Sequence, residues 1–445
     1  MPAPEAHIPD VIASYPEAIH FLENGLDSRP PTLAGHEASR LRTAALLQHF
    51  DNPQDNRRTV HVAGTAGKGS TTHAIEALLR ASGMHTNMRT SPFIYDWREG
   101  LMHDGQYLPE DIILRGVNRM LGPLRAVQQH AGVLTRFEAR NALAYTLFSE
   151  VGGPSDYNVI EVGMGGKHDA TNVMTRSDKV CAITTLGICH PEILGPTRAA
   201  IAAQKAGIIL PGNTVISAPQ HPQALAKIRD TTRAQQGHLT IADRKAYPYL
   251  ESDAITNPLF RMSHYAGNAA VALTVVGHVA QRDGFELTAD TAIDALNTLT
   301  IPGRCERLEL ADKTAFLDIG ISAVKVQPTV NALRQQFPGQ EFGVVLTQPN
   351  SPDVTGVLQI LRTISDTLVA VQYAPEGPRA INATMQPEEL ASKARDQGFS
   401  NAAPATYAEA AEHVRSPGGP ALWLVTGRPE VLGPMKRALV GSEQR

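Results

Sequence analysis

The sequence predicts an α/β protein of two unequal domains, each organised around a mainly parallel sheet, and three features carry that expectation. Strand-like apolar runs alternate with helix-like segments along most of the chain. A length of 445 residues exceeds one ordinary domain. Proline and glycine in Ile301-Pro-Gly-Arg304 interrupt helical periodicity before a fresh series of strands, which places the boundary between residues 1–300 and 301–445.

The alternation opens with the β-branched run Thr59–Val62, followed by glycines and by a helix after Lys68 that carries Ile75 and Leu79. An amphipathic helix from Pro109 and another over Glu138–Glu150 lead to the buried strand Tyr157–Val162. The strand Val180–Leu186, a helix around Thr197–Gly207, the short strand Thr214–Ala218 and a helix from His221 continue the series. Helical segments at Tyr265–Gln281 and Thr288–Leu299 close the first domain. Beyond the boundary, strands are expected at Ala315–Asp318, Phe342–Leu346, Thr367–Gln372 and Leu422–Val425, the last launched by the turn Pro417-Gly-Gly-Pro420. Each but the first follows a helical segment, so the second domain is also doubly wound. The Ala-rich Tyr407–His413 reads as a surface helix.

The passage His61-Val-Ala-Gly-Thr-Ala-Gly-Lys-Gly-Ser70 carries the chemistry of the first domain. Gly64 and Gly67 let backbone amides approach phosphate oxygens, Lys68 supplies a mobile positive charge, and the helix N-terminus adds its dipole. The ligand expected is a nucleoside triphosphate. Gly69 intervenes where a phosphate loop usually places its hydroxyl, and Ser70, Thr71 and Thr72 supply hydroxyls instead. A Gly-rich turn with a structural role alone is the competing reading.

Glu161 ends the strand Tyr157–Val162 and precedes a glycine-rich bend, at the end of a parallel strand that faces a ligand crevice. A carboxylate there can hold Mg²⁺ bridging phosphate oxygens. A dinucleotide fingerprint is disfavoured, because His168 stands where its third glycine belongs. His190 follows the strand Val180–Leu186 and could reach the same crevice, although a lone histidine is more often a satisfied surface or core residue. Lys205, by spacing alone, stabilises a helix end capped by Gly207.

Composition excludes several classes. A net charge of −4 with 19% charged residues leaves no basic field for nucleic acid, and 5% aromatics gives no stacking platform for single strands. Cys181, Cys189 and Cys305 form no CxxC pair and suit a reducing cytoplasm. Met1–Leu26 lacks the pattern of a signal peptide, and no apolar run reaches membrane-spanning length.

Taken together, the motifs resemble those of the folylpolyglutamate and dihydrofolate synthases of the Mur ligase superfamily, nearly end to end. The resemblance rests on the Gly64–Ser70 loop, Thr90-Ser-Pro92, Phe137-Glu138, Glu161-Val-Gly-Met-Gly-Gly166 with Asp169-Ala-Thr-Asn172, and Leu194-Gly-Pro-Thr197 with Lys205-Ala-Gly-Ile208. Asn268-Ala-Ala270, Pro302-Gly-Arg304, Asp318, Pro378-Arg-Ala380 and Thr426-Gly427 extend it. It implies a Mur-ligase-like fold, with an N-terminal P-loop ATPase domain and a smaller C-terminal Rossmann-like domain. The activity implied passes the ATP γ-phosphoryl group to a carboxylate of a folate or pteroate-type acid, and the acyl phosphate is then attacked by an amino acid, L-glutamate. By the same resemblance Ser91, Glu161, His190 and a carbamylated Lys205 hold Mg²⁺, and Lys68, Glu161, His190 and Lys205 are catalytic. ATP contacts fall on Gly64, Thr65, Gly67, Lys68, Gly69, Ser70, Asn268, Arg304 and Asp318. A cytoplasmic monomer using small-molecule substrates is expected.

Departures from the family pattern gather near these positions. Asp318-Ile-Gly-Ile-Ser322 has Ile321 and Ser322 where relatives carry histidine and asparagine. Phe93 replaces a histidine, Cys189 an aspartate, Ala66 an asparagine and Lys167 an arginine, and the last strand runs into Thr426-Gly-Arg428 where relatives have Gly-Ser. They leave open a paralogue joining a different acid and amino acid, or an ATP-binding subunit without catalysis.

Overall fold

The computed structural model describes residues 7–27, 33–151, 156–350, 353–373 and 384–441. The motif Pro378-Arg-Ala380 lies outside these described residues. The chain forms two compact units. One comprises Met1–Phe93, Trp97–Leu250 and Ala266–Asn297, and the other Ile94–Asp96, Glu251–Tyr265 and Thr298–Arg445.

The first unit is built on eight strands: β1 (Arg58–Ala63), β2 (Thr86–Arg89), β3 (Met102–His103), β4 (Gln106–Tyr107), β5 (Tyr157–Glu161), β6 (Val180–Ile183), β7 (Thr214–Ser217) and β8 (His238–Ile241). Their order is β4-β3-β2-β5-β1-β6-β7-β8. Pairing is parallel from β2 to β8, while β3 and β4 add an antiparallel hairpin at one edge. Val60 and Val62 of β1 and Val159 and Ile160 of β5 are fully buried, as expected of strands covered on both faces. Helix Lys68–Ala81 turns Ile75, Leu78 and Leu79 inward. Helix Glu110–Ala131 buries Ile113, Val117, Met120, Leu121 and Leu124, a spacing that keeps one stripe against the core. Helix Arg136–Phe148 begins with a capping box in which Thr135 and Glu138 satisfy each other's backbone amides.

The second unit carries β9 (Glu306–Leu310), β10 (Lys313–Asp318), β11 (Phe342–Leu346), β12 (Thr367–Ala370), β13 (Asn401–Pro404) and β14 (Leu422–Thr426), ordered β13-β12-β11-β14-β10-β9. All neighbours are parallel except β9, which folds back on β10. Its core joins Leu317, Val345, Val369 and Val425 from the sheet to Val431, Leu432 and Met435 from helix Pro429–Val440.

Several elements escaped periodicity. Strand β2 reads Thr-Asn-Met-Arg and is buried throughout, so its polar letters hide a central strand. Strand β9 alternates buried and exposed residues at a sheet edge, and its Glu-Arg-Leu-Glu-Leu spelling resembles a helix. The helix Tyr407–Arg415 lies on the surface but buries Ala410, Ala411 and Val414. Among the described residues no helix is long and apolar enough to cross a membrane.

A buried polar chain fixes the centre of the first sheet. His61 Nε2 lies 2.9 Å from Thr171 Oγ1, which lies 2.5 Å from Asp169 Oδ1. The ionised carboxylate can only accept, so the Thr171 proton goes to Asp169 and His61 donates from Nε2. Burial, with the Lys179 charge adding to it, holds the His61 imidazole well below its ordinary pKa and therefore neutral. The unfolded imidazole binds a proton below pH 6.5 and the folded one does not, so this contribution is complete above that pH and is lost as pH falls. One unit below, the loss is about 1.4 kcal/mol. Urea denaturation at pH 7.5 and 5.5 is expected to show a steeper acid decline for the natural chain than for His61→Gln, and equal slopes would refute it.

Candidate functional site

Strand register decides which residues meet. Val62 is opposite Glu161, Ala63 opposite Ile183, and Arg89 opposite Ile160. The carboxyl ends of β2, β5, β1 and β6 thus form one edge, where parallel α/β sheets take their ligands.

From that edge β1 passes through Gly64–Gly67 into helix Lys68–Ala81. Gly67, at φ +85°, is the N-cap and provides no capping side chain, so the helix N-terminus keeps its first amides available to an anion. The loop is held from several sides. The amides of Thr65 and Ala66 donate to the Thr185 carbonyl at 3.0 and 3.2 Å. Thr184 Oγ1 donates to the Ala66 carbonyl at 2.7 Å, and a Cβ on Gly64 would stand 1.8 Å from that hydroxyl oxygen. A Cβ on Gly67 would stand 2.4 Å from Asn268 Oδ1, and Asn268 Nδ2 donates to Ser70 Oγ at 2.9 Å. Asn268 therefore braces the first turn of the helix.

Glu161 is buried, and its Oε2 accepts the Ser91 amide at 2.9 Å. A Cβ on Gly69 would be 3.6 Å from the same oxygen, an ordinary van der Waals distance, so the carboxylate lies against the helix's first turn. Lys205 does not serve the helix end that spacing suggested. It is 2% exposed, and its Nζ donates to the Gly64 carbonyl at 2.7 Å. Burial lowers its pKa to about 8; Cys189 and Asp169 oppose that shift, and the nearby Lys68 charge reinforces it. Gly207 does cap that helix, at φ −65°, and its lack of a side chain matters because a Cβ would stand 2.4 Å from Lys167 Cβ.

The other expected residues lie further from this cluster or in the second unit. His190 is a left-handed N-cap at φ 47°, with a side chain 60% exposed and 3.6 Å from Glu192. Thr65 Oγ1 donates to the Gly187 carbonyl and is 3.3 Å from Cys189 Sγ, which ties the loop to the segment leading to His190. In the second unit Asp318 ends β10, and both of its oxygens are engaged, by the Cys305 amide at 2.9 Å and Thr329 Oγ1 at 2.7 Å. Burial raises its pKa despite these bonds. Arg304 follows Gly303, whose φ of +61° turns the chain there.

Whether Mg²⁺ suits these groups can be judged from the donors. Among the described residues no three histidine, cysteine or acidic side chains converge. Magnesium does not need such a cage, since one or two protein oxygens with phosphate oxygens and water suffice. The buried Glu161 carboxylate beside Ser91 meets that requirement. Thr184 was not foreseen as a site residue; its only trace in the sequence is its place near the end of the expected strand Val180–Leu186, of which β6 forms Val180–Ile183.

No model of a known protein family matches the chain. A dihydrofolate synthase/folylpolyglutamate synthase of Mycobacterium tuberculosis is 28% identical over 410 residues, covering 84% of this chain and 81% of the relative. A folylpolyglutamate synthase of Lacticaseibacillus casei is 39% identical over 189 residues, covering 42% of this chain and 43% of the relative. In structure, the chain resembles the M. tuberculosis folylpolyglutamate synthase crystallised with ADP and AMPPCP, with a TM-score of 0.73, 24% identity, and coverage of 97% of this chain and 100% of that one.

Gly67→Ala is expected to lower stability by about 1–2 kcal/mol from the left-handed backbone alone, with Asn268 displaced in addition. Chemical denaturation would measure it. A variant as stable as the natural chain would mean that the turn tolerates a side chain.

Proposed function

We propose the chemistry of this chain from one premise: it belongs to the folylpolyglutamate and dihydrofolate synthase family of the Mur ligase superfamily. It is an ATP-dependent amide ligase that joins L-glutamate to a carboxylate of a folate or pteroate-type acid. An oxygen of that carboxylate attacks the γ-phosphorus of ATP and ADP leaves. The glutamate amine then attacks the acyl carbon, the C–O bond to phosphate breaks, and the nitrogen sheds a proton as inorganic phosphate departs. The observation that carries this reading is the uncapped helix N-terminus behind Gly67, with the buried Glu161 carboxylate against its first turn.

Lys68 and the first amides of helix Lys68–Ala81 bind the phosphates, and the pinned loop keeps Gly64, Thr65, Gly67, Gly69 and Ser70 in place without reorganisation. Glu161 and Ser91 would hold Mg²⁺, which supplies charge neutralisation at the phosphoryl oxygens. His190 as a further ligand, and Arg304 and Asp318 as nucleotide contacts, rest on the family resemblance. Asn268 acts by bracing Ser70 and Gly67. A monomer acting on small molecules is what the family resemblance implies, and three cysteines without a CxxC pair suit a reducing cytoplasm.

Lys205 is proposed to carry a carbamate. A neutral amine is needed to attack CO2, and a pKa of about 8 leaves about a tenth of the side chain neutral at pH 7. The attack forms an N–C bond, releases one proton and leaves an anion whose remaining N–H can still donate to the Gly64 carbonyl. The Lys68 ammonium compensates the new negative charge.

Sustained ADP release over many turnovers is expected only with acid and amino acid both present. Lys68→Ala should lower turnover at least 100-fold, and Glu161→Ala should raise the Mg²⁺ concentration needed; a steady-state assay with unchanged rates would remove these roles. With ¹³C-bicarbonate, the natural chain should show a carbamate carbonyl resonance that Lys205→Arg lacks. Identical spectra would exclude the modification.

A further inference from the structure

Arg304 is the guanidinium of the second unit that the ligase reading sets against the nucleotide, and the chain on both sides of it is bent the less favoured way. Gly303 has φ +61° and Cys305 has φ +45°, so a left-handed residue stands before and after one arginine. Glycine takes that backbone freely and cysteine does not, so the surrounding structure has to hold the turn.

Two carboxylates grip it. Glu306 opens β9 opposite Leu317 of β10, and its Oε2 accepts the Gly303 amide at 3.0 Å. Asp318, the residue after Leu317, accepts the Cys305 amide at 2.9 Å and the Thr329 hydroxyl at 2.7 Å. The amides on either side of Arg304 are thereby fixed. The Arg304 amide donates to the Ile301 carbonyl, and the Ile319 amide to the Gly303 carbonyl, both at 3.1 Å.

Glu306 is itself held from two directions. It is 5% exposed, its Oε1 accepts Lys436 Nζ at 2.6 Å, and its Oε2 also accepts the Tyr95 hydroxyl at 2.5 Å. Lys436, on helix Pro429–Val440, lies 4.4 Å from the centre of the Tyr95 ring, and Tyr95 packs against the apolar core of this unit. The short segment Ile94–Asp96, which belongs to the second unit, therefore meets the Arg304 turn through one buried carboxylate.

The same contacts decide where charge is left over. Both acids near Arg304 are engaged by amides, hydroxyls and Lys436, and among the described residues no carboxylate lies within salt-bridge distance of Arg304. Its Nη1 makes a 3.2 Å contact with the Gly303 carbonyl of its own turn. A guanidinium carries five N–H donors, so that contact leaves it ample capacity for an anion.

We propose that Glu306 is a positioning residue for nucleotide binding: it fixes the Gly303 turn so that Arg304 is presented to a phosphate, while Lys436 and Tyr95 keep the Glu306 carboxylate on the turn and away from Arg304. The inference rests on the ligase reading above and deepens it at the nucleotide. Released from Lys436 and Tyr95, Glu306 would become available to the guanidinium two residues before it. An arginine already paired with a carboxylate has little charge to offer a phosphate.

Calorimetric titration of the full chain with ADP and Mg²⁺ tests this through a double-mutant cycle. Glu306→Gln keeps the shape but has one accepting oxygen, so it cannot serve Gly303 and Lys436 together. It and Arg304→Ala are each expected to weaken ADP binding about tenfold, and the double variant no more than Arg304→Ala alone. Tyr95→Phe, which removes one hydroxyl, should weaken ADP about threefold in the natural background and not at all beside Arg304→Ala. In steady state Glu306→Gln should raise KM for ATP and keep kcat within about twofold. Losses that multiply in the double variants, unchanged ADP affinity in any of the three single variants, or a fall in kcat with KM unchanged overturns the role. If Glu306→Gln does not fold, Tyr95→Phe decides by the same criteria. A natural chain that binds ADP while the losses multiply leaves the ligase reading standing; one that binds no ADP removes that reading, and the positioning role with it.

Discussion

The carbonyl of Gly64 is the point on which the first unit's site depends. It belongs to the residue that follows β1, and the buried Lys205 ammonium donates to it from the last turn of helix Arg198–Ala206. With the Thr184 hydroxyl on Ala66 and Asn268 on Ser70, it fixes a loop that would otherwise sample many conformations. Rigidity here has a chemical purpose. Phosphoryl transfer asks the protein for position and charge, and a loop already ordered loses little entropy when a polyphosphate arrives.

Charge is distributed with the same economy around it. Glu138 neutralises Arg42 and also caps its own helix, so the pair is structural. Among the described residues neither Lys205 nor Arg89, both buried, has an ion pair at salt-bridge distance, and each is bonded to a main-chain carbonyl. A carbonyl satisfies hydrogen bonds but cancels no charge, so burial lowers the pKa of both side chains. Asp318 of the second unit represents another solution, since its two oxygens are taken by Cys305 and Thr329 and its burial favours the protonated form.

Much of the architecture was legible because parallel strands buried on two faces are apolar runs. Tyr157–Glu161, Val180–Ile183 and Phe342–Leu346 all announce themselves in this way. Strand β2 does not, because Thr86, Asn87 and Arg89 are polar residues whose partners come from elsewhere: Glu76 for Thr86, and Asn158 for Asn87. The spacing of Lys205 from Gly207 suggested a helix-end lysine, yet its side chain turns inward, since a four-carbon stem can reach a carbonyl that no local pattern reveals. His190 was placed by its strand, but the left-handed backbone there leaves its side chain exposed.

By itself the sequence determined the α/β alternation of the apolar central strands with helices, the glycine-lysine turn after β1 and the family resemblance, because each is written in neighbouring residues. Only the tertiary structure decided that Glu161 lies against Gly69, that Lys205 meets Gly64, and that Tyr95 meets Glu306. Strand register and the packing of helices on the sheet bring together residues far apart in sequence, and both are properties of the whole core that no single segment encodes.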